Sequence, residues 1–329
     1  MYKLDIKDKK ILSELDLDSR QSNSEIGKKV GLSKEVVKYR IDNLKKEGVI
    51  IKFHTIINYF KLGITKHKVY FQLKNVNREK FEEIGNFLKN HKKTEWVVTS
   101  TGRWDLIVSF LVENINELDD EILSIMNKYS LFIKEKAVSS TLYLVHHIRE
   151  YLKENHHKIK EKIIYHTTKD KQEKINSFEF ELLRLISNNA RMPLTEIATR
   201  LKSTPRIVNY HLKELERREI ILAYKCHLNP NLIGRTFCKA IFYLSNVTRK
   251  RLDELVDYCS NIRESLWPQR IIGNWDFEVD FEIESYEKFQ EKILEIKNLF
   301  SDIIINQEFC IISKEFKFDL FPNAVSETK

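Results

Sequence analysis

A shift of 171 residues lays this 329-residue chain on itself without a gap, and that repeat limits the possible folds more than any other feature. Leu12 meets Leu183, Arg20 meets Arg191, Glu25-Ile26 meets Glu196-Ile197, Tyr39 meets Tyr210 and Leu44 meets Leu215. The register continues with Gly63 and Gly234, Phe71 and Phe242, Val76 and Val247, and Trp96 and Trp267. It ends with Gly102, Trp104, Asp105 and Phe110 on Gly273, Trp275, Asp276 and Phe281. Apolar spacing repeats by chance in short windows. Glycine, tryptophan and aspartate matching in one register over more than 100 residues mean that one structural unit is present twice.

Each unit opens helically. Ile6, Ile11, Leu12 and Leu15 fall at helical spacing behind Asp5, a cap with Asp8 three residues on. Ser24 is read as the start of a second helix that Gly31 ends. Ser33 then caps a third over Lys34–Lys46, with Val37, Ile41 and Leu44 on its core face and Gly48 as its stop. Val49–Phe53 reads as a short extended piece. In the copy Phe178, Leu182, Leu183 and Ile186 open the domain, Thr195 is read as the cap of Glu196–Leu201, and Thr204 caps a helix with Pro205 in its first position. Three short helices with a tight turn before the third make a helix-turn-helix with a minimal wing.

The rest of each unit reads strand, helix, strand, strand, helix, strand: Lys66–Lys74, Arg78–Lys89, Glu95–Thr99, Trp104–Val112, Asn116–Lys128 and Ile133–Val145 in the first copy. In the second, Trp275, Phe277, Val279, Phe281 and Ile283 alternate with Asp276, Glu278, Asp280 and Glu282, the pattern of a sheet with one buried and one polar face. The expected fold is α+β: a winged-type helix-turn-helix plus a ferredoxin-like βαββαβ domain, the pair repeated twice in one chain. The boundaries read 1–62, 63–145, a linker 146–174, 175–233 and 234–329. A whole polar sheet face is not left bare, so the two sheets are expected to dock face to face within the chain as a pseudo-dimer, with a dimer of chains left open.

Charge is unevenly spread. The net formal charge is +8, with 13 Lys/Arg against 9 Asp/Glu in 1–53, 9 against 6 in 175–225, and 13 against 17 in 226–329. The positive balance lies on the helical parts and suits a polyanion there. No segment reaches the roughly 18 apolar residues of a membrane span, and no secretory signal opens the chain, so a cytoplasmic protein without a membrane partner is expected. Cys226, Cys238, Cys259 and Cys310 are far apart and read as buried free thiols. His146, His147, His156, His157 and His166 cluster around the joining segment, but adjacent His146 and His147 point different ways and no ligand spacing accompanies them. They read as linker histidines, with no metal and no cofactor. No nucleophile–base–orienter set or phosphate loop is visible, so the chain is expected not to be an enzyme.

These motifs together resemble the Lrp/AsnC (feast/famine) transcription regulators. The resemblance rests on Leu4-Asp5, Ile11-Leu12 and Asp18-Ser19-Arg20, then on Ser24-Glu25-Ile26-Gly27 through Gly31-Leu32-Ser33. It continues in Val37-Lys38-Tyr39-Arg40-Ile41-Asp42-Asn43-Leu44 and Glu47-Gly48-Val49-Ile50. The turn Thr101-Gly102-Arg103-Trp104-Asp105 recurs as Ile272-Gly273-Asn274-Trp275-Asp276, and the likeness covers about 1–145 and 175–318. It implies a transcription regulator that binds double-stranded DNA and answers to a small effector such as an amino acid. The DNA-facing candidates are Ser33, Lys34, Lys38, Tyr39, Arg40 and Asp42 in the first copy. In the second they are Thr204, Arg206, Asn209, Tyr210 and Lys213. The effector candidates are Gly102, Trp104, Asp105, Gly273, Trp275 and Asp276. The second copy departs in having Glu219 where the first has Gly48, so its reader is either degraded or divergent. Two rival readings stay open: an enzyme like the sirohaem decarboxylases, which resemble this family and pair two such units, and an adaptor that no longer reads DNA. Ile51-Lys52-Phe53-His54 departs from the arginine-rich run usual in those enzymes.

Overall fold

The computed structural model describes residues 2–153 and 164–321; His156, His157 and the side chain of His166 lie outside them. The first unit opens with α1 (Ile6–Leu17), α2 (Asn23–Val30) and α3 (Lys34–Lys46). Asp5 and Asp8 close a capping box on α1, and Ser33 accepts from the Val36 N–H at the start of α3. Helix α2 begins one turn position earlier than its sequence suggests, because Ser22 rather than Ser24 caps it, in a box with Glu25. There follow β1 (Ile50–Ile57), β2 (Thr65–Leu73), α4 (Arg78–Asn90), β3 (Thr94–Gly102), β4 (Leu106–Val112), α5 (Ile115–Tyr129), β5 (Ile133–His146) and a short β6 (Ile164–Thr167).

The second unit repeats the order with α6 (Ser177–Ser187), α7 (Leu194–Arg200), α8 (Pro205–Arg217), β7 (Ile221–Leu228), β8 (Thr236–Leu244), α9 (Arg249–Ser260), β9 (Gln269–Gly273), β10 (Phe277–Ile283), α10 (Tyr286–Leu299) and β11 (Ile304–Phe318). Thr195 lies inside α7 instead of capping it; Pro193 takes the cap position and offers no side-chain bond. Glu219 adopts the left-handed conformation that Gly48 adopts in the first copy, φ 56° against 74°. The turn geometry is therefore kept in spite of the side chain, which pairs with Lys61.

The two wings are one ribbon. β1 and β7 pair antiparallel, with Ile50 opposite Leu228 and Ile57 opposite Ile221, so each end of the ladder repeats the other under the 171-residue shift. Both helical domains share a single apolar core, in which Ile11, Leu15 and Leu44 join Leu182, Ile186 and Leu215. Arg20 donates to the Ala190 carbonyl and lies over the Tyr224 ring; Arg191 donates to the Ser19 carbonyl and lies over the Phe53 ring. These arginines, matched in the repeat, form a reciprocal clasp.

The regulatory halves join in the same reciprocal way. Each contributes four strands, β5-β2-β4-β3 and β9-β10-β8-β11, and the edges are exchanged: β5 pairs β9 and β11 pairs β3. Gly273 stands opposite Ser139 and Gly102 opposite Cys310, again the same pair under the shift. The result is a closed ring of strands with a pseudo-twofold axis, and β6 hangs on the outer edge of β5. Closure removes the open edges that a separate four-stranded sheet would expose. Helices cover the outer faces, with Phe71, Val108 and Leu88 packed on one side and Phe242, Phe281 and Phe289 on the other. Tyr70, Trp96 and Trp104 meet Ile241, Trp275 and Ile312 between the sheets.

The polar face of β10 does not meet solvent. Glu278, Asp280 and Glu282 are all buried, because that face looks into the inter-sheet layer and not at solvent. Lys68 and Lys239, twofold mates, both reach Glu278, at 2.5 and 3.0 Å, and Lys239 also reaches Asp280 at 2.7 Å. The first copy has Ile107 and Ser109 at the corresponding positions, so the two lysines share the acids of one sheet. Burial pushes the Glu278 carboxyl up, but the ammoniums of Lys239 and Lys68 outweigh it and hold the carboxyl well below its ordinary range.

Candidate nucleic-acid interface and interior cavity

The third helix of each unit presents an outward face. Tyr39 is 72% exposed on α3 and Tyr210 is 61% exposed on α8, at equivalent positions and with Val36 and Ile207 exposed one turn earlier. An exposed aromatic beside an exposed aliphatic, repeated in both copies, forms an apolar patch that a partner can cover. Lys34, Lys38 and Asp42 lie exposed beside Tyr39, with Lys38 and Asp42 3.8 Å apart. Arg206 and Lys213 lie exposed beside Tyr210, with Asn209 half-buried. Ser33 and Thr204 sit at the helix N-termini, where backbone N–H groups and the helix dipole favour a phosphate. Arg40 turns the other way. Its guanidinium is held by Asp5 at 2.7 Å and Asp8 at 2.8 Å, tying α3 to α1.

The residues expected at an effector site lie at the two strand turns and in the layer between the sheets. Trp104 and Trp275 are 1% exposed each, with ring centroids 6.1 Å apart in the layer between the sheets. Asp105 accepts from the Leu73 N–H and Asp276 from the Leu244 N–H, which fixes the turn against the first strand of each sheet. Gly102 and Gly273 mark the strand crossings described above.

A cavity of about 410 Å³ lies elsewhere, between the wing ribbon and the ends of the two sheets, and none of those six residues lines it. His54, Lys225 and His227 come from the ribbon, Trp96 and Trp267 from the two sheets, and His146, His147 and Arg149 from the end of β5. The cavity contains both members of matched pairs such as Trp96 and Trp267, so it straddles the pseudo-twofold axis. The repeat diverges here: His54 matches Lys225, His227 matches Ile56, and Arg149 matches Leu320.

His146 and His147 both line this cavity although they are neighbours, because β5 ends at His146 and the chain turns. The following residues also pack: Ile148, Tyr151 and Leu152 are buried. Trp267 donates its indole N–H to His146 Nδ1 at 3.1 Å. Since that indole can only donate, neutral His146 carries its proton on Nε2. Arg149 is buried and holds Asp16 of α1 at 2.7 Å and Glu282 of β10 at 2.8 Å. His146 and His147, expected to be linker histidines, form part of the cavity wall instead. The visible signals were the paired His146-His147 and the departure at Ile51-Lys52-Phe53-His54, but only folding brings them to one place.

The histidines are held neutral. Burial depresses His54 and His227 well below their ordinary value, and burial also pushes His147 down to about 4. Glu315, which accepts from the Trp96 indole at 2.9 Å, is pushed up to about 7 by burial. In the unfolded chain these histidines take up protons near pH 6.5, and in the folded chain only at lower pH, so below about pH 6.5 the unfolded state binds more protons than the folded one at these sites. Glu315 opposes this in part, because its raised carboxyl takes up a proton in the folded state first. Stability is therefore expected to fall as pH falls from about 6.5. Urea titrations at pH 7.5, 6.0 and 5.0 check it; a flat or rising midpoint on acidification would contradict the buried neutral histidines.

The comparisons with known proteins accord with this architecture. The model of the winged helix-turn-helix DNA-binding family matches residues 4–51 and 175–221. The HTH-type transcriptional regulator FL11 of Pyrococcus horikoshii is 33% identical over 117 residues, covering 36% of this chain and 76% of that protein. The proline dehydrogenase transcriptional activator of Rhizobium radiobacter is 31% identical over 146 residues, covering 42% and 93%. Among solved structures, the siroheme decarboxylase NirDL superposes over 94% of this chain and 92% of its own, with a TM-score of 0.62 and 15% sequence identity. That likeness is one of fold, but it spans both units and belongs to a catalytic protein. The expectation that this chain is not an enzyme is therefore corrected: missing sequence motifs give no ground for denying catalysis to a fold that a decarboxylase shares, and the cavity histidines come together only in the folded chain. Among the described residues no helix is long and apolar enough to cross a membrane, and no group of three or more metal-binding side chains occurs. The chain belongs to the broad AsnC/Lrp-like superfamily, a winged helix-turn-helix followed by a small regulatory domain, here arranged in tandem.

Proposed function

We propose that this chain is a sequence-specific DNA-binding transcription regulator with two non-identical reading heads, responsive to a small ligand. The observation that carries the reading is the pair of exposed tyrosines, Tyr39 and Tyr210, each in the middle of a third helix whose opposite face is locked in the shared core. Around them the two faces differ: Lys34 is replaced by Pro205, Glu35 by Arg206, Lys38 by Asn209 and Asp42 by Lys213. Lysine suits guanine or phosphate and asparagine suits adenine, so the two heads favour different half-sites. A reader that had merely decayed would not keep its tyrosine, its cap and its turn.

Selection of bound duplexes from a random pool tests the function. The recovered site should be two unlike half-sites, and affinity should fall steeply between low and moderate salt. Tyr39→Ala and Tyr210→Ala are each expected to weaken binding about tenfold, ~1.4 kcal/mol, with unfolding unchanged. Lys38→Ala and Asn209→Ala should relax preference in different half-sites. Recovery of no preferred sequence, or loss at the same bases of a perfect palindrome in both variants, would defeat the two-headed reading.

A second reading is favoured by the cavity histidines together with the fold shared with a decarboxylase: proton-transfer chemistry on an iron tetrapyrrole. Incubation with sirohaem, followed by absorption and mass spectrometry for lost carboxyl groups, decides it.

A further inference from the structure

We infer that the cavity between the wing ribbon and the sheets is a binding site for a flat, uncharged nitrogen heterocycle. Its walls supply aromatic faces at several angles. His54 and Phe318 have ring centroids 5.2 Å apart, His227 and Phe318 4.5 Å, and Phe237 lies between Trp96 and Trp267 at 6.1 and 5.8 Å. A volume of about 410 Å³ falls in the ordinary range for small-molecule sites, and aromatic faces share the walls with ion-paired charges and histidines.

The polar groups narrow the ligand class. His54 is 6% exposed, and its Nδ1 has no hydrogen-bond partner within the protein; His227 Nδ1 and His147 Nε2 are likewise unpartnered. A buried polar atom left unsatisfied costs roughly 1–3 kcal/mol, so these three atoms call for a ligand that bonds to them. A neutral imidazole nitrogen either donates or accepts according to its tautomer, and an edge carrying both donors and acceptors meets any combination. The wall cations, by contrast, are already engaged within the wall. Arg149 is held by Asp16 and Glu282, Lys66 by Glu95 at 2.7 Å, and Lys68 by Glu278. A polyanionic ligand would have to break these pairs, so a net uncharged molecule fits the site better.

The site also has a route to the reading heads, a consequence that rests on the DNA-binding reading above. Its ribbon wall follows directly from α3 through Gly48 and from α8 through Glu219. A ligand bridging ribbon and sheets would hold the helical block at one angle to the regulatory ring.

Lumichrome, a planar tricyclic fluorophore, is the probe. Titration into the full chain without DNA should show saturable quenching at one molecule per chain. His54→Phe removes the unpartnered nitrogen, and Ile51→Trp places an indole at the cavity edge from a half-exposed position. Both should weaken lumichrome at least tenfold while the melting temperature stays within a few degrees. No saturable binding, binding unaffected by both variants, or binding of the polycarboxylate sirohaem with none of lumichrome would overturn the inference. Because this titration contains no DNA, its failure is distinguishable from failure of the DNA-binding reading, which the duplex selection tests alone.

Discussion

Replacing Gly273 by alanine is expected to destabilise the chain by about 3 kcal/mol or more, and Gly102→Ala by a similar amount. A methyl carbon at Gly273 would lie 2.2 Å from the Val138 carbonyl oxygen, and one at Gly102 would lie 2.5 Å from the Phe309 carbonyl oxygen. Val138 and Phe309 are mates under the repeat, so the two clashes are one clash seen twice. Both oxygens belong to the exchanged strands, β5 and β11, that close the ring. Backbone atoms cannot rotate aside as a side chain can, and φ at Gly102 is 136°, a conformation that side chains rarely adopt. Gly63→Ala is the control. It too has a positive φ, 75°, but its methyl would meet only the end of the Gln172 side chain at 3.3 Å. It should cost about 1 kcal/mol. Urea unfolding of the three variants ranks them; equal losses at all three sites would mean that conformational strain alone, not strand closure, is responsible.

Arg149→Met is expected to cost about 3–5 kcal/mol at neutral pH. The guanidinium lies between Asp16 and Glu282 and donates to the Cys226 carbonyl at 3.2 Å, so it ties α1, β10 and the wing ribbon together. Methionine fills much of the same volume, so the loss is that of Glu282 left without its guanidinium and of Asp16 left with the more distant Lys225, 3.9 Å away. Those carboxyls should then take up protons more readily, so the gap between variant and wild type should narrow toward pH 5. A gap that is constant from pH 7.5 to 5 would show that packing, not charge, carries the effect.

Much of this molecule is legible in the chain. The repeat, the helix caps at Asp5, Ser33 and Thr204, and the period-2 alternation of β10 are local signals, set by hydrogen bonds and side-chain periodicity within a few residues. They determined the α+β class, the order of elements and the outward tyrosines. Local signals carry no information on what faces an element. The acidic side of β10 is expected to be covered by a facing sheet, but which cations meet it is decided by the repeat's twofold, which places Lys68 and Lys239 against it. Arg40 looked available for phosphate and is held by Asp5 and Asp8. Gly102 and Gly273 looked like turns, and it is the exchanged strand passing over each that leaves no room for a methyl group. His54, His147 and His227 lie far apart in sequence, and no spacing rule links them. Their shared cavity exists only because the two wings pair as one ribbon over a closed ring of strands, a consequence of long-range pairing that tertiary structure alone decides.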